Sequence, residues 1–244
     1  MALRQLASDP RGNLDPTELA EAGERRADGR PWVMLNFVAS IDGAATIDGG
    51  STDLGDEEDM AMFKALRGVA DVVLVGARTV IVEDYRPLSL DETRRARRVE
   101  RGQDPAPTLA IVSGTVSLDV EQRVFSDSSY KPLVITGPYA NPGRLANLGD
   151  AADVAILPDI DPQSIVDSLS GAGIILLEGG PSLAGQFARA GLIDEFNLTV
   201  APKLAGGESK RITGSDEIDP PYEMRLDRVV EGENMLFLRY VARA

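Results

Sequence analysis

Cysteine and histidine are both absent from this chain of 244 residues. Without cysteine the chain can form no disulfide, no thiolate nucleophile and no iron–sulfur cluster. Without histidine it has no imidazole to carry protons, and zinc sites of the Cys/His type are excluded as well. Any acid–base chemistry must therefore come from carboxylates, lysine, tyrosine, water or a cofactor, and we expect no metal site.

Positive charge is also scarce, because 25 Lys and Arg residues stand against 39 Asp and Glu residues, giving a net charge of −14. Nucleic acids and anionic membranes are bound through an excess of Lys and Arg, so we expect neither as a partner. The first thirty residues contain no apolar segment of the signal-peptide type, and no later run approaches ~20 apolar residues. These features predict a cytoplasmic protein that acts on a small molecule.

Short apolar runs alternate with helical patterns from Pro31 onward. Several runs are apolar at every position, as in strands that are covered on both faces. Asp56 and Asp161 are N-cap candidates for two of the helices between them, and Pro162 follows the second. The predicted strands occupy residues 32–40, 70–76, 108–114, 131–137, 154–158 and 173–180.

This alternation predicts a single α/β domain over residues 31–244, with three layers and a mostly parallel sheet that has helices on both faces. The C-terminal part differs, because residues 231–234 turn one apolar strand into another. We therefore predict an antiparallel hairpin at one edge of the sheet. Residues 1–30 are polar and are predicted to form an extension with a short helix at 16–26.

The strand at 173–180 ends in Glu178, Gly179 and Gly180, and Pro181 then begins a helical pattern. Open α/β sheets bind ligands at the carboxyl ends of their strands, and a helix N-terminus offers unpaired N–H groups that suit phosphate. The glycines would let the backbone approach a ligand, so that a phosphate-bearing cofactor and the Glu178 carboxylate meet in one cleft. The alternative is a tight turn that needs glycine, with Glu178 a solvated strand end.

Two further strand ends carry similar signals. Asp42 and Gly43 follow the first strand, although Asp-Gly is chiefly a turn signal. Gly76 and Thr79 follow the second strand, where a helix begins that can contact a phosphate or a ring. The G-x-S of residues 180–182 cannot belong to a Ser-His-Asp triad in a chain without histidine, and the G-x-G-x-x-G dinucleotide fingerprint is missing from this turn.

Together these stretches resemble the reductase domain of the riboflavin-biosynthesis deaminase/reductase family, whose fold is similar to that of dihydrofolate reductase. The resemblance implies NADPH as hydride donor and usually a homodimer. It also implies reduction of a ribosylamino-pyrimidinone phosphate, 5-amino-6-(5-phosphoribosylamino)uracil, to its ribitylamino form. It extends from about Trp32 to the C-terminus and rests on ASIDG (39–43), LRGVADVVLVGARTV (66–80), LLEGGPSLAGQF (176–187) and GLIDEFNLTVAPKLAGG (191–207).

The resemblance also implies roles for individual residues. Ser51, Arg67 and Glu178 would contact the substrate, and we choose Asp42 and Glu178 as the catalytic carboxylates beside the bound ring. Either carboxyl group would serve best as a proton donor if burial raised its pKa toward neutrality. Arg67 would clamp a substrate anion, although its position also suits a cation at a helix C-terminus. The implied cofactor contacts are Gly76, Thr79, Ser113, Gly114, Gly180, Pro181, Ser182, Leu183, Ala184 and Gly185.

The sequence also departs from the family pattern. The zinc-deaminase motifs of the bifunctional enzymes are absent, Asn36 stands where the family commonly has lysine, and Asp53 stands where it has tryptophan. An amide cannot pair with phosphate as an ammonium does, so two alternatives stay open: a reductase of dihydrofolate or another pterin, and an NADPH-binding protein without turnover. The arginine-rich run at 94–102 has enough charge to replace an anion contact, but it is more typical of a solvated helix face.

Overall fold

The computed structural model describes residues 14–25, 29–127, 130–214 and 217–243. Nine strands in these ranges form one sheet. The first six lie where the apolar runs predict them and differ from the prediction only at their ends. The strands are β1 (Trp32–Ser40), β2 (Val72–Gly76), β3 (Thr108–Val112), β4 (Leu133–Thr136), β5 (Asp153–Ile156), β6 (Ile174–Gly179), β7 (Glu195–Ala201), β8 (Met224–Glu231) and β9 (Leu236–Ala242).

The helices begin at the predicted caps. Asp56 accepts a hydrogen bond from the Asp59 N–H, and Asp161 accepts from the N–H groups of Gln163 and Ser164. The first helix is shorter than the predicted range, and Arg26 lies outside the described residues. None of the described helices is long and apolar enough to cross a membrane. They are α1 (Pro16–Glu21), α2 (Glu57–Val69), α3 (Ala77–Val82), α4 (Glu92–Glu100), α5 (Pro142–Leu148), α6 (Pro162–Ser168) and α7 (Pro181–Arg189).

The strand order across the sheet is β5-β4-β3-β2-β6-β1-β7-β9-β8. Every neighbouring pair from β5 to β7 is parallel, whereas β9 pairs antiparallel with both β7 and β8. The two central strands, β6 and β1, therefore end beside one another at the same edge of the sheet. This topology confirms the predicted mostly parallel sheet and the antiparallel hairpin at its edge.

Apolar residues cover both faces of the sheet. On one face Met34 and Leu176 pack with Leu66 of α2, and on the other Leu177 packs with Phe187 of α7. All of these side chains are almost completely buried. Adjacent strand residues point to opposite faces, so a strand buried on both sides must be apolar throughout. The three-layer arrangement is therefore confirmed.

The segment before β1 is held to the sheet by a buried ion-pair network around Glu195. The Nε atom of Arg25 lies 2.9 Å from Glu195 Oε2, and Nη2 of Arg239 lies 2.9 Å from the same oxygen. The indole N–H of Trp32 donates to it as well. Burial raises the pKa of Glu195, but the hydrogen bonds and charges of Arg239 and Arg25 outweigh burial and lower that pKa to about 2. The network therefore fixes the N-terminal segment on β7 and β9.

Candidate active site

A cleft of about 1780 Å³ opens where β1, β2, β3 and β6 end. Its wall includes Asn36 and Val38 of β1, Thr79 after β2, Ser113 after β3 and Glu178 of β6. Pockets for one small ligand usually measure about 300–1,000 Å³, so this cleft has room for a cofactor and a substrate side by side. Its position at the carboxyl ends of parallel strands is the one that open α/β sheets use for ligands.

The cleft brings together most of the residues that the sequence singles out. Asp42, Ala184 and Gly185 are not on its wall. The Ala184 N–H is bonded to the Gly180 carbonyl at 3.0 Å, as in an ordinary helix. A Cβ on Gly185 would lie 2.1 Å from the Thr213 carbonyl oxygen, so packing accounts for this glycine. The predicted residues on the wall are Ser51, Arg67, Gly76, Thr79, Ser113, Gly114, Glu178, Gly180, Pro181, Ser182 and Leu183.

The two glycines after Glu178 are required by neighbouring side chains. Gly179 has φ +92°, and a Cβ on it would lie 2.6 Å from Phe37 Cζ. A Cβ on Gly180 would lie 2.6 Å from Thr79 Oγ1. Packing alone is therefore enough to require both glycines, and their predicted role in opening the backbone to a ligand stays a prediction. The absence of side chains lets the loop pack between β1 and α3.

The N-terminus of α7 faces the cleft without a side-chain cap. Gly180 is the N-cap residue and Pro181 is the first helical residue, as the sequence predicts. Pro181 has no N–H, so Ser182 and Leu183 carry the first N–H groups of the helix, and both residues line the cleft. Uncapped N–H groups and the helix dipole together favour an anion at this point.

Glu178 is held by two side chains from other elements. Its carboxylate accepts from Nε and Nη2 of Arg67, both at 2.7 Å, and from the Tyr85 hydroxyl at 2.7 Å. The side chain of Glu178 is 2% exposed and that of Arg67 is 19% exposed. Arg67 also stacks over the ring of Phe63, with 4.1 Å from the guanidinium carbon to the ring centroid. This is a bidentate, charge-assisted pair between a buried carboxylate and a guanidinium that borders the cleft.

These contacts change the roles predicted for the pair. Both oxygens of Glu178 serve as acceptors, whereas the sequence interpretation made this group a proton donor. The Nε–Nη2 edge of Arg67 is occupied by Glu178, which leaves Nη1 to reach a substrate. Burial lowers the pKa of Arg67, but the Glu178 charge and hydrogen bonds outweigh burial and raise it above its usual range. Burial and the Glu178 charge also raise the pKa of Tyr85 well above its usual range, so its hydroxyl stays protonated.

Asp42 lies outside the cleft and fixes the position of a loop. Its carboxylate accepts the Ser40 hydroxyl and the backbone N–H groups of Ala205 and Gly206, at 3.1 and 2.7 Å from the latter two. These hydrogen bonds lower the pKa of Asp42 to about 2. The condition set for a proton donor, a pKa raised by burial, is therefore not met. The loop that Asp42 holds does line the cleft, through residues 206–210.

Sequence reasoning missed several charged groups on the cleft wall. Lys64, Arg78 and Arg86 are exposed there, and within the described ranges none of them forms an ion pair. Arg94 of α4 also reaches the wall and belongs to the arginine-rich run that the sequence analysis considered as an anion contact. It pairs with Asp91, and its buried Nε atom has no hydrogen-bond partner among the described residues. A periodic pattern locates Lys64 and Arg78 on helices but does not show which neighbouring element they face, and Arg86 lies in the irregular segment between α3 and α4.

The arginine-rich run is therefore only in part the solvated helix face that the sequence suggests. Arg98 is buried, 1% exposed, and donates to the carbonyl oxygens of Ala70 and Asp104. Arg97 and Arg101 pair with Glu21 of α1. Helix α4 therefore contacts α1 and the C-terminal end of α2, and it also borders the cleft.

The strand order of the sheet and the cleft at the carboxyl ends of its strands identify the fold class of the protein. The structure superposes on dihydrofolate reductase from Enterococcus faecalis with a TM-score of 0.52 at 14% identity, covering 87% of this chain and 97% of that one. A pyrimidine reductase-like protein from Corynebacterium diphtheriae gives a TM-score of 0.85 at 27% identity, covering 95% of this chain and 100% of that one. The fold is therefore that of dihydrofolate reductase, as the resemblance implied.

Sequence comparison then gives the family. The family model described as "RibD C-terminal domain" matches residues 31–237, so the chain belongs to this family. The chain is also similar to the 2,5-diamino-6-ribosylamino-4(3H)-pyrimidinone 5′-phosphate reductase of Methanothermobacter thermautotrophicus, at 29% identity over 223 residues, covering 88% of this chain and 99% of that protein. Membership of this reductase family on this fold points to a nicotinamide cofactor.

Proposed function

We propose that this protein is an NADPH-dependent reductase that converts a ribosylamino-pyrimidinone phosphate to its ribitylamino form. One observation carries the proposal: a single cleft joins the uncapped N-terminus of α7 to the Arg67–Glu178–Tyr85 cluster. The first feature suits a dinucleotide pyrophosphate, and the second offers a fixed cation beside it. The names of the family and of the similar archaeal reductase support the same reaction class.

The residues at the strand ends fit a nicotinamide dinucleotide. Residues 180–183 would hold the pyrophosphate, and Gly76 and Thr79 would lie toward the nicotinamide. Ser113 and Gly114 would lie toward the adenosine. Arg78, an exposed cation on the same wall without an ionic partner among the described residues, would favour the extra phosphate of NADPH over NADH. When bound, the nicotinamide supplies the hydride.

The protein's own part is to bind and orient the substrate. Glu178 and Tyr85 fix the plane of the Arg67 guanidinium, so that Nη1 presents a directed positive charge to the ring or its phosphate. Ser51 lies on the same wall, where its N–H already donates to Glu83. Glu178 thus acts in the site as the group that positions Arg67. Asp42 positions the loop at 206–210, which covers part of the cleft.

A pterin such as dihydrofolate is the second candidate substrate. Asn36 faces the cleft from β1, where the family commonly has lysine. An amide gives no charge to a sugar phosphate. Lys64 and Arg86, which form no ion pair with any described residue, would serve the carboxylates of a folate tail equally well. These two facts favour testing a pterin beside the pyrimidinone phosphate.

The test is anaerobic NADPH oxidation by the purified protein with each substrate in parallel. Turnover of the pyrimidinone phosphate supports the main proposal, and turnover of dihydrofolate alone replaces it with the second. Absence of turnover with both, despite saturable NADPH binding, would overturn the proposal in favour of a binding protein. We further propose that the protein is a cytoplasmic homodimer; light scattering that shows a monomer at assay concentration would contradict the dimer.

A further inference from the structure

The arginine-rich helix α4 contains a buried cation that lies neither on the cleft wall nor beside a carboxylate partner. Arg98 is 1% exposed, and no carboxylate among the described residues forms an ion pair with it. Arginine stays protonated in proteins, so a full positive charge is buried here. Such a charge is costly to bury unless polar groups take the place of water around it. Its hydrogen-bond partners therefore indicate what Arg98 does.

Those partners are carbonyl oxygens at the C-terminus of α2. Nη1 of Arg98 donates to the carbonyls of Gly68 and Ala70, and Nε donates to the Asp104 carbonyl at 2.7 Å. The last carbonyls of a helix have no partner within the helix, and they carry the negative end of its dipole. The buried guanidinium therefore satisfies these oxygens and fixes the point at which α2 ends.

Two more side chains complete the hold on this turn of α2. Nη2 of Arg101 donates to the Gly68 carbonyl at 2.9 Å, and Nε2 of Gln103 donates to the Val69 carbonyl at 3.0 Å. The carbonyls of residues 68–70 are therefore all bound by side chains from α4 and the turn that follows it. We call this set of side chains the α2 clamp: Arg98, Arg101 and Gln103.

The α2 clamp also reaches the strand that carries Glu178. Nε2 of Gln103 donates to Asp71 Oδ1 at 2.7 Å. Asp71 Oδ2 in turn accepts the N–H groups of Gly173 and Ile174, at 2.9 and 2.8 Å. Ile174 begins β6, and Glu178 lies further along the same strand. One set of contacts therefore fixes the end of α2 and the start of β6 relative to each other.

These two elements carry the two partners of the ion pair in the cleft. Arg67 immediately precedes the clamped turn of α2, and it donates two hydrogen bonds of 2.7 Å to Glu178 of β6. A bidentate pair needs both groups in one plane at one distance, so a small shift of either element disturbs it. The α2 clamp is therefore placed to set the orientation of the guanidinium that borders the cleft.

We propose that Arg98 is a positioning residue, which holds the last turn of α2 against β6 so that Arg67 presents its guanidinium to the substrate in one orientation. The inference rests on the proposed function, because that function gives Arg67 the substrate contact. Arg98 itself is not on the cleft wall and touches no ligand there. It acts only through Arg67, from behind the site.

The test replaces Arg98 by lysine, which keeps the charge but loses the fork that reaches several carbonyls. Solvent exchange of the Arg67 Nε–H, followed by NMR and assigned by its loss in Arg67→Lys, reports on the ion pair without requiring turnover. At a temperature where the variant is fully folded, we expect this exchange to be about fivefold faster or more. The kcat/KM for the pyrimidinone phosphate should fall about tenfold. The matched control is Arg95→Lys, at an exposed position of the same helix, which should change neither quantity.

A double variant distinguishes positioning from a general loss of stability. If Arg98 acts through the ion pair, adding Arg98→Lys to Glu178→Gln should slow turnover by less than about twofold beyond Glu178→Gln alone. Gln103→Ala loosens the same turn from a half-buried position and should repeat the faster exchange on a smaller scale. It decides the question if Arg98→Lys does not fold.

Failure of this inference and failure of the proposed function give different results. If no substrate is reduced but exchange of the Arg67 Nε–H rises as predicted, the reaction is wrong and the positioning stands. A lower Tm with wild-type exchange and wild-type turnover would overturn the inference, because Arg98 would then serve stability alone. Fully additive losses in the double variant would overturn it as well.

Discussion

Replacing Glu178 by glutamine perturbs the centre of the proposed site without changing its shape. The carboxylate now accepts three hydrogen bonds, two from Arg67 and one from Tyr85, all at 2.7 Å. Glutamine keeps one acceptor oxygen and replaces the other with an NH₂ donor. That donor would face a donor of Arg67 or Tyr85, so the bidentate pair cannot persist and the guanidinium loses its fixed orientation.

The structure sets the size of the effect. Removing one partner of a buried ion pair typically costs about 3–5 kcal/mol. Arg67 is 19% exposed and borders the open cleft, so water can reach it and we expect a smaller loss. We predict that Glu178→Gln lowers the free energy of unfolding by about 2–3 kcal/mol, or roughly 4–12 °C in Tm. Turnover should fall by about a hundredfold, because Arg67 no longer directs the substrate.

Three measurements check this prediction together: urea unfolding, NADPH binding by fluorescence, and turnover. NADPH affinity should change by less than about threefold, because the N-terminus of α7 is untouched. Tyr85→Phe is the matched variant, since it removes one hydrogen bond and leaves the bidentate pair. Tyr85→Phe should lower the free energy of unfolding by only about 1–2 kcal/mol. Unchanged turnover in Glu178→Gln would refute the role given to the pair, and a greater loss of stability in Tyr85→Phe would refute the energetic reasoning.

Further predictions concern the loops and the buried network. Gly180→Ala places a methyl group 2.6 Å from Thr79 Oγ1 and must displace the turn before α7, so the Kd for NADPH should rise about tenfold or more in a fluorescence titration; a change below twofold would contradict this. Asp42→Ala releases the N–H groups of residues 205–206, and KM for the pyrimidine should rise while kcat is largely kept; a large loss of kcat with KM unchanged would instead support a catalytic Asp42. Glu195 has a folded pKa of about 2, below its ordinary value of 4.5, so it stabilises the fold above pH 4.5 by roughly 3 kcal/mol and loses that contribution as the pH falls toward 2. The stability difference between wild type and Glu195→Gln in urea should therefore shrink between pH 7 and pH 3, and a constant difference would show that the pKa is not depressed.

The sequence predicts those features that depend on contacts within a few residues. The caps at Asp56 and Asp161 satisfy N–H groups two or three positions further on, and Pro181 begins α7 because its missing N–H costs nothing there. Strands buried on both faces must be apolar at every position, so their places follow from the pattern, and their alternation with helices predicts a mostly parallel sheet. These local rules were sufficient to predict the fold class, whereas the similarity to dihydrofolate reductase was predicted from the family resemblance and the strand order was not predicted.

The partners of the site residues depend on contacts that are distant in the sequence. Glu178 and Arg67 are 111 residues apart, and Asp42 reaches Gly206 across 164 residues. Nothing near Asp42 indicates that two backbone N–H groups will hold it ionised outside the cleft. Tyr85 gives no periodic signal because it follows α3 in an irregular segment. The sequence therefore predicted which residues lie near the cleft better than it predicted what each of them does.

The most direct test of the central claim follows the hydride itself. The protein would be given NADPH carrying deuterium at the transferred position of C4, with the 2,5-diamino ribosylamino-pyrimidinone phosphate as substrate. The product would then be examined by mass spectrometry and NMR. The account predicts a ribitylamino product with a single deuterium on the sugar carbon that bears the amine, and little or none with Glu178→Gln. An unlabelled product, or deuterium on the ring, would contradict the proposed reaction.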